Sequence, residues 1–179
     1  MAKHIPNILT VLRFLLIPFI VYYIIVDQYL LAFIFLTISG LTDVLDGFIA
    51  RKFNFITNFG KLIDPLADKT TQIAVLLTLA FKDIIPFWII IVVAIKEATM
   101  IAGASFLYGK ELVVSSKWFG KLATVLFYIA IVCSFGIKYW NTLASDPTNS
   151  VAPLPQFDLW VYYLALAATI FSLIMYYVT

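Results

Sequence analysis

Asp43 and Asp46 stand three residues apart in the chain, and Asp64 and Asp68 stand four apart. In a helix, either interval puts both members of a pair on one face. Asp43-Val44-Leu45-Asp46-Gly47-Phe48-Ile49-Ala50-Arg51 closes one apolar stretch, and Gly60-Lys61-Leu62-Ile63-Asp64-Pro65-Leu66-Ala67-Asp68 opens the next. The short link over 52–59 predicts antiparallel neighbours, with Asp43 opposite Asp68 and Asp46 opposite Asp64. Carboxylates converging in this way repel one another and take up protons unless hard cations lie between them. No His or Cys is near enough to supply a softer donor, so the oxygen-only set selects Mg²⁺ or Mn²⁺ over zinc. Two such ions about 3.5–4 Å apart could clamp the attacking and leaving oxygens of a phosphoryl displacement. Gly47 and Ala50 share the face of Asp43 and Asp46 and remove bulk where a ligand could approach closely; close helix packing is the other use of such residues.

The elements that carry these residues must suit an apolar solvent. The 179 residues are 63% hydrophobic and 12% charged, more apolar surface than a soluble domain of this size can hide. The composition predicts an all-α polytopic membrane protein, a single domain over 1–179 with six transmembrane helices at 8–26, 29–50, 60–81, 84–108, 116–138 and 157–178. Asp27-Gln28 and Lys82-Asp83 mark short connections, and the Pro-containing segment 141–156 an irregular one. The opening Met1-Ala2-Lys3-His4-Ile5-Pro6 lacks a cleavable-signal pattern, so the first apolar run is expected to stay as a span. Cys133, the only cysteine, excludes an intramolecular disulfide. A net charge of +2 argues against nucleic acid as a partner.

Lys3, Arg13, Arg51, Lys52, Lys61, Lys69, Lys110, Lys117 and Lys121 gather at one side, which predicts that both termini and the acidic residues face the cytoplasm. Tyr22, Tyr23, Tyr29, Trp88, Tyr139, Trp140, Trp160, Tyr162 and Tyr163 gather at the opposite ends as interfacial anchors. Counted from those ends at about 1.5 Å per residue, Arg13, Asp43, Asp68 and Lys96 lie roughly 18–21 Å across the bilayer core, and Asp46, Asp64 and Lys121 roughly 25–27 Å. A lone charge at such depth costs about 2.5–3.5 kcal/mol. Several at matched depth therefore predict a polar cavity enclosed by the helices and open to the cytoplasmic side. Ion pairing that only holds the bundle together is the structural alternative, and an ion transporter the non-enzymatic one.

Residues 43–68 read D-x2-D-G-x2-A-R-x8-G-x3-D-x3-D, which resembles the signature of the CDP-alcohol phosphatidyltransferase family at every fixed position. The six-span layout is similar as well, most weakly after about residue 140. The resemblance implies that Asp43, Asp46, Asp64 and Asp68 hold two metal ions and that Asp68 is also the general base. It implies that Gly47, Ala50 and Arg51 contact the donor, CDP-diacylglycerol. The segment from Pro6 to Arg13 resembles the first helix of members that make phosphatidylglycerophosphate or cardiolipin, which adds Asn7 to the donor site; for Asn7 and Thr10, helix capping is the other reading. An acceptor hydroxyl would attack the phosphorus bearing diacylglycerol, with CMP leaving, in a bacterial plasma membrane. Homodimers are common in the family, and the same is expected here.

The acceptor is less sharply drawn. Asn58-Phe59-Gly60-Lys61 and Asp64-Pro65-Leu66-Ala67-Asp68-Lys69 resemble the phosphatidylglycerophosphate synthases, whose acceptor, glycerol-3-phosphate, needs cations; Lys96, Lys117 and Lys121 could supply them. That subfamily usually has Arg-Glu with a second Arg eight residues on, where this chain has Lys96-Glu97 and Ala104; it also follows Gly-Lys with a second Lys, where this chain has Gly120-Lys121-Leu122. Gly40-Leu41-Thr42-Asp43 and Asp46-Gly47-Phe48-Ile49-Ala50-Arg51 resemble the eukaryotic-type cardiolipin synthases, which take phosphatidylglycerol. Glycerol-3-phosphate leads, with phosphatidylglycerol as the alternative. Lys96 and Glu97 adjoin on one helix and are expected on different faces, Lys96 toward an acceptor phosphate and Glu97 paired across the bundle, with a plain ion pair for either left open. Lys110, Glu111 and Lys117 are expected in a wet loop attracted to anionic lipid.

Overall fold

In a chain this poor in polar side chains, backbone N–H and C=O groups must satisfy one another, and a helix does so within a single segment. The computed structural model describes residues 5–52, 58–107, 118–145 and 152–178, without the side chains of 5–8, 46, 49–51, 58–65, 100–107, 118–121 and 176–178. Among the described residues, six helices follow in order: α1 Ile5–Ile25, α2 Tyr29–Lys52, α3 Asn58–Phe81, α4 Phe87–Leu107, α5 Trp118–Ala144 and α6 Asp158–Val178. All regular structure among the described residues is helical. Among these residues two stretches, Leu122–Ala144 and Asp158–Met175, are long and apolar enough to cross a membrane. Leu9–Ile25 and Tyr29–Leu45 are apolar but shorter.

Each expected span coincides with a helix, and the ends differ for local reasons. α4 starts at Phe87 rather than 84, because Pro86 has no N–H to continue a ladder and its carbonyl instead accepts the Ile89 N–H at 3.1 Å. α5 runs on to Ala144, past 138, into the segment expected to be irregular. Asn141 explains the extension. Its Nδ2 donates to the Leu154 carbonyl at 3.1 Å and its Oδ1 accepts the Leu154 N–H at 2.7 Å, so the last turn of α5 carries the returning strand of chain. Trp140 Nε1 adds a bond to the Ala152 carbonyl at 3.1 Å.

The chain divides into two compact units, Met1–Thr78 and Leu79–Thr179. In the first, α1 and α2 pack side by side. Gln28 N–H bonds the Tyr23 carbonyl at 2.9 Å and Asp27 N–H the Ile24 carbonyl at 3.2 Å, the paired bonds of a Schellman ending, with Asp27 left-handed at φ 60°. The Tyr29 hydroxyl donates to Asp27 Oδ1 at 2.6 Å and braces the turn. Beyond it, Leu16, Ile20 and Ile24 of α1 and Ala32 and Leu36 of α2 are buried at helical spacing. The same buried rows become polar farther from the turn, at Thr10 and Arg13 on α1 and at Ser39 and Thr42 on α2.

In the second unit, α6 packs on both α5 and α4. Ala130 and Ile131 of α5, Ala165 of α6 and Ile89 of α4 are fully buried. The Trp88 and Tyr163 rings stack with centroids 6.0 Å apart. Trp88, Tyr139, Trp140, Trp160 and Tyr163 are exposed, as interfacial anchors should be. Tyr29 and Tyr162 correct that expectation: both are buried, and their hydroxyls find partners in Asp27 and Ser134. A phenol accepts burial once its hydroxyl is bonded.

α3 ends as α1 does. Ile84 N–H bonds the Leu79 carbonyl and Asp83 N–H the Ala80 carbonyl, both at 3.0 Å, with Asp83 at φ 52°. A left-handed conformation costs an L-residue about 1–2 kcal/mol, and glycine escapes that cost. Asp83→Gly therefore raises the melting temperature in detergent by about 3 °C. Asp27→Gly gains less, because it also removes the acceptor of the Tyr29 hydroxyl; equal shifts for the two variants would contradict this account.

Candidate functional site

The polar ends of the two buried rows in the α1/α2 hairpin meet. Arg13 and Asp43 lie at similar distances along the chain from the turn, and folding α2 back on α1 brings them level. The Arg13 side chain is 2% exposed and its Nη2 stands 2.6 Å from Asp43 Oδ1, while the Asp43 side chain is 48% exposed. A guanidinium buried in apolar surroundings is tolerable only when paired, and removing such a partner costs about 3–5 kcal/mol. Beside it, the buried Thr42 hydroxyl donates to the Ser39 carbonyl at 2.7 Å and settles its own proton inside α2.

This geometry leaves Asp43 open on one side. One oxygen serves the guanidinium, and exposure of about half of the side chain leaves the other able to meet a cation from solvent. The donor chemistry of Asp43 thus fits a hard divalent ion held beside, rather than in place of, Arg13. Asp46 and Gly47 follow on α2, with Gly47 half-buried. The last turns of the same helix carry Ala50 and Arg51, and α1 carries Asn7. Asp64 and Asp68 lie on α3, Asp68 half-buried. The side chains of Asn7, Asp46, Ala50, Arg51 and Asp64 lie outside the described residues. Among the described residues, no three acidic, His or Cys side chains converge into a metal-binding group.

Of the expected acceptor cations, Lys96 is described. It lies on α4 and is buried, as is Glu97, and its Nζ donates to Glu97 Oε1 at 2.6 Å. The expectation that neighbouring side chains point apart is corrected here: a long Lys stem bends far enough to reach the adjacent carboxylate. The reason is dielectric, since each charge finds in the other the nearest compensation for lost water. Lys121 lies in the first turn of α5 with its side chain outside the described residues, and Lys117 lies wholly outside them, as do Lys110 and Glu111.

The partner that sequence reasoning did not assign is Arg13. Its depth, matched to that of Asp43, was the available signal; the identity of the carboxylate it meets required the hairpin.

Residues 3–171 match the family model described as CDP-alcohol phosphatidyltransferase. A relative from Mycoplasma genitalium, named CDP-diacylglycerol–glycerol-3-phosphate 3-phosphatidyltransferase, is 34% identical over 149 residues, 80% of this chain and 61% of the relative. One of the same name from Aquifex aeolicus is 33% identical over 136 residues, 75% of this chain and 76% of the relative. A Schizosaccharomyces pombe protein named cardiolipin synthase (CMP-forming) / mitochondrial hydrolase fusion protein is 36% identical over 107 residues, 60% of this chain and 18% of its own length. This chain spans less than two thirds of the length of the Mycoplasma relative, and the family model covers all four aspartates of the signature within 3–171. An acidic signature on two successive helices and a match running through nearly the whole sequence lead to one conclusion: the chain belongs to the CDP-alcohol phosphatidyltransferase family.

Proposed function

We propose that this chain transfers the phosphatidyl group of CDP-diacylglycerol to glycerol-3-phosphate, forming phosphatidylglycerophosphate and releasing CMP. The observation that carries the reading is family membership over 3–171, together with two relatives bearing the glycerol-3-phosphate name. The acceptor hydroxyl oxygen forms a bond to the phosphorus bearing diacylglycerol, and the bond from that phosphorus to the CMP oxygen breaks. Asp68 takes the hydroxyl proton. Asp43, Asp46, Asp64 and Asp68 would hold two Mg²⁺ or Mn²⁺ ions, which supply electrostatic stabilisation of the charge that develops on the pyrophosphate oxygens. Arg13 is a positioning residue: it fixes one oxygen of Asp43 and so the direction of the other. Asn7, Gly47, Ala50 and Arg51 would hold the donor headgroup, and Lys96, Lys117 and Lys121 the acceptor phosphate.

The same reading has the chain as one membrane domain over 1–179 with six spans around a polar cavity, both termini and the site being cytoplasmic, in a homodimer in a bacterial plasma membrane. Helices of 21 to 27 residues support it, since about 20 residues cross a bilayer. Acyl chains would then remain in lipid while the cytidine head enters from water.

One observation favours phosphatidylglycerol as acceptor instead, which would make the chain a cardiolipin synthase. Glu97 offsets the charge of Lys96, and a cation already paired with a carboxylate is a weaker trap for a phosphomonoester. The S. pombe relative carries that name. Purified full-length protein with CDP-diacylglycerol, Mg²⁺ or Mn²⁺ and each acceptor in turn separates the two: CMP release is expected with glycerol-3-phosphate and is lost on chelation. Release with phosphatidylglycerol alone assigns the alternative, and metal-independent release removes the two-ion site.

Asp68→Asn is expected to abolish CMP release while the protein stays monodisperse and helical in detergent; retained turnover would exclude Asp68 as the base. Arg13→Met leaves Asp43 unheld and lowers CMP release by about 10- to 100-fold. Circular dichroism of that variant should remain helical, and unchanged turnover in the folded variant would reduce Arg13 to a packing role.

A further inference from the structure

α5 and α6 enclose a polar group that the proposed reaction does not use. Ser134 on α5 and Tyr162 on α6 are fully buried, and Asp158, the first residue of α6, is 2% exposed. Ser134 Oγ donates to Asp158 Oδ2 at 2.6 Å and lies 3.2 Å from the Tyr162 hydroxyl. A serine hydroxyl has one proton. With that proton on the carboxylate, the contact with Tyr162 is filled by the phenol O–H donating to Ser134 Oγ. The relay therefore runs from Tyr162 through Ser134 and stops at Oδ2. Asp158 Oδ1 is buried and accepts no hydrogen bond among the described residues. Lys138, one turn along α5 from Ser134, makes no ion pair with it among those residues. The positive end of the α6 dipole offsets part of the charge but brings no donor to Oδ1.

A buried carboxylate with an empty oxygen loses both its hydration and its bond, and such groups persist in native proteins when something completes them. We propose that Asp158, Ser134 and Tyr162 form a binding site for one monovalent metal cation, with Asp158 Oδ1 as its anionic ligand. Three features select it. The donors are all oxygens, which suit a hard ion. The site carries a single negative charge, which a monovalent ion neutralises and a divalent ion would overshoot. A water molecule could fill the vacant bond of Oδ1 but would leave the charge uncompensated in the low-dielectric interior. Pro155, Gln156 and Phe157, just before α6, are exposed while Asp158 is buried, so the surface lies one residue from the site. The site is independent of the phosphatidyl-transfer reading.

The test uses the full chain in detergent without substrate and follows its melting temperature while NaCl replaces choline chloride at constant ionic strength. Sodium should raise the melting temperature saturably, by about 5 °C once its concentration is about a hundred times the dissociation constant. Ser134→Ala and Asp158→Asn should each flatten the response. The wild-type comparison needs no variant, so a misfolded Asp158→Asn does not block it. Equal melting in sodium and choline would overturn the proposal, as would a sodium response that survives intact in folded Ser134→Ala.

Discussion

A guanidinium taken out of water must be met by a carboxylate, and the contact between Arg13 and Asp43 ties the hairpin of α1 and α2 to the acidic signature it carries. Along most of the hairpin, packing is apolar and tolerant, and side chains of similar volume could replace one another at modest cost. At its polar end the tolerance vanishes. Arg13 is almost wholly buried, Asp43 is half open, and a shift of one residue in either helix would separate them. Helix register and the orientation of an acidic side chain are therefore set by the same bond. The turn at Asp27 and Tyr29 contributes from the other end by fixing where α2 begins.

Charges elsewhere follow the same rule by different means. Lys96 and Glu97 compensate each other within one helix, which makes a cation of α4 compatible with burial and also dulls it as an anion trap. Ser134 and Tyr162 order one oxygen of Asp158 and leave the other open. Hydroxyls with no such task, Thr71, Thr78 and Thr169 among them, return their protons to the carbonyl four residues earlier in the helix. In an apolar chain the hydroxyls that do not bond back to their own helix are thus the informative ones.

Much of this was legible in the sequence because the relevant rules are local. The six helices follow from apolar runs separated by short polar links, and the acidic pairs follow from spacings of three and four within a helix. The ends of helices were less legible. Pro86 moved the start of α4 through a missing N–H, but Asn141 extended α5 by bonding a residue thirteen positions away, which no local pattern announces.

Composition, helix count and the positions of the four aspartates along α2 and α3 were determined by sequence alone, since they depend on which residues occur and at what interval. Pairing was decided by tertiary structure. Arg13 could have met any carboxylate at its depth, and Tyr162 an interfacial lipid; packing of helix on helix chose Asp43 and Ser134, while burial turned Lys96 to the Glu97 beside it on the same helix. The physical reason is that periodicity fixes the face on which a side chain stands, whereas the identity of its partner depends on how far one helix slides along another.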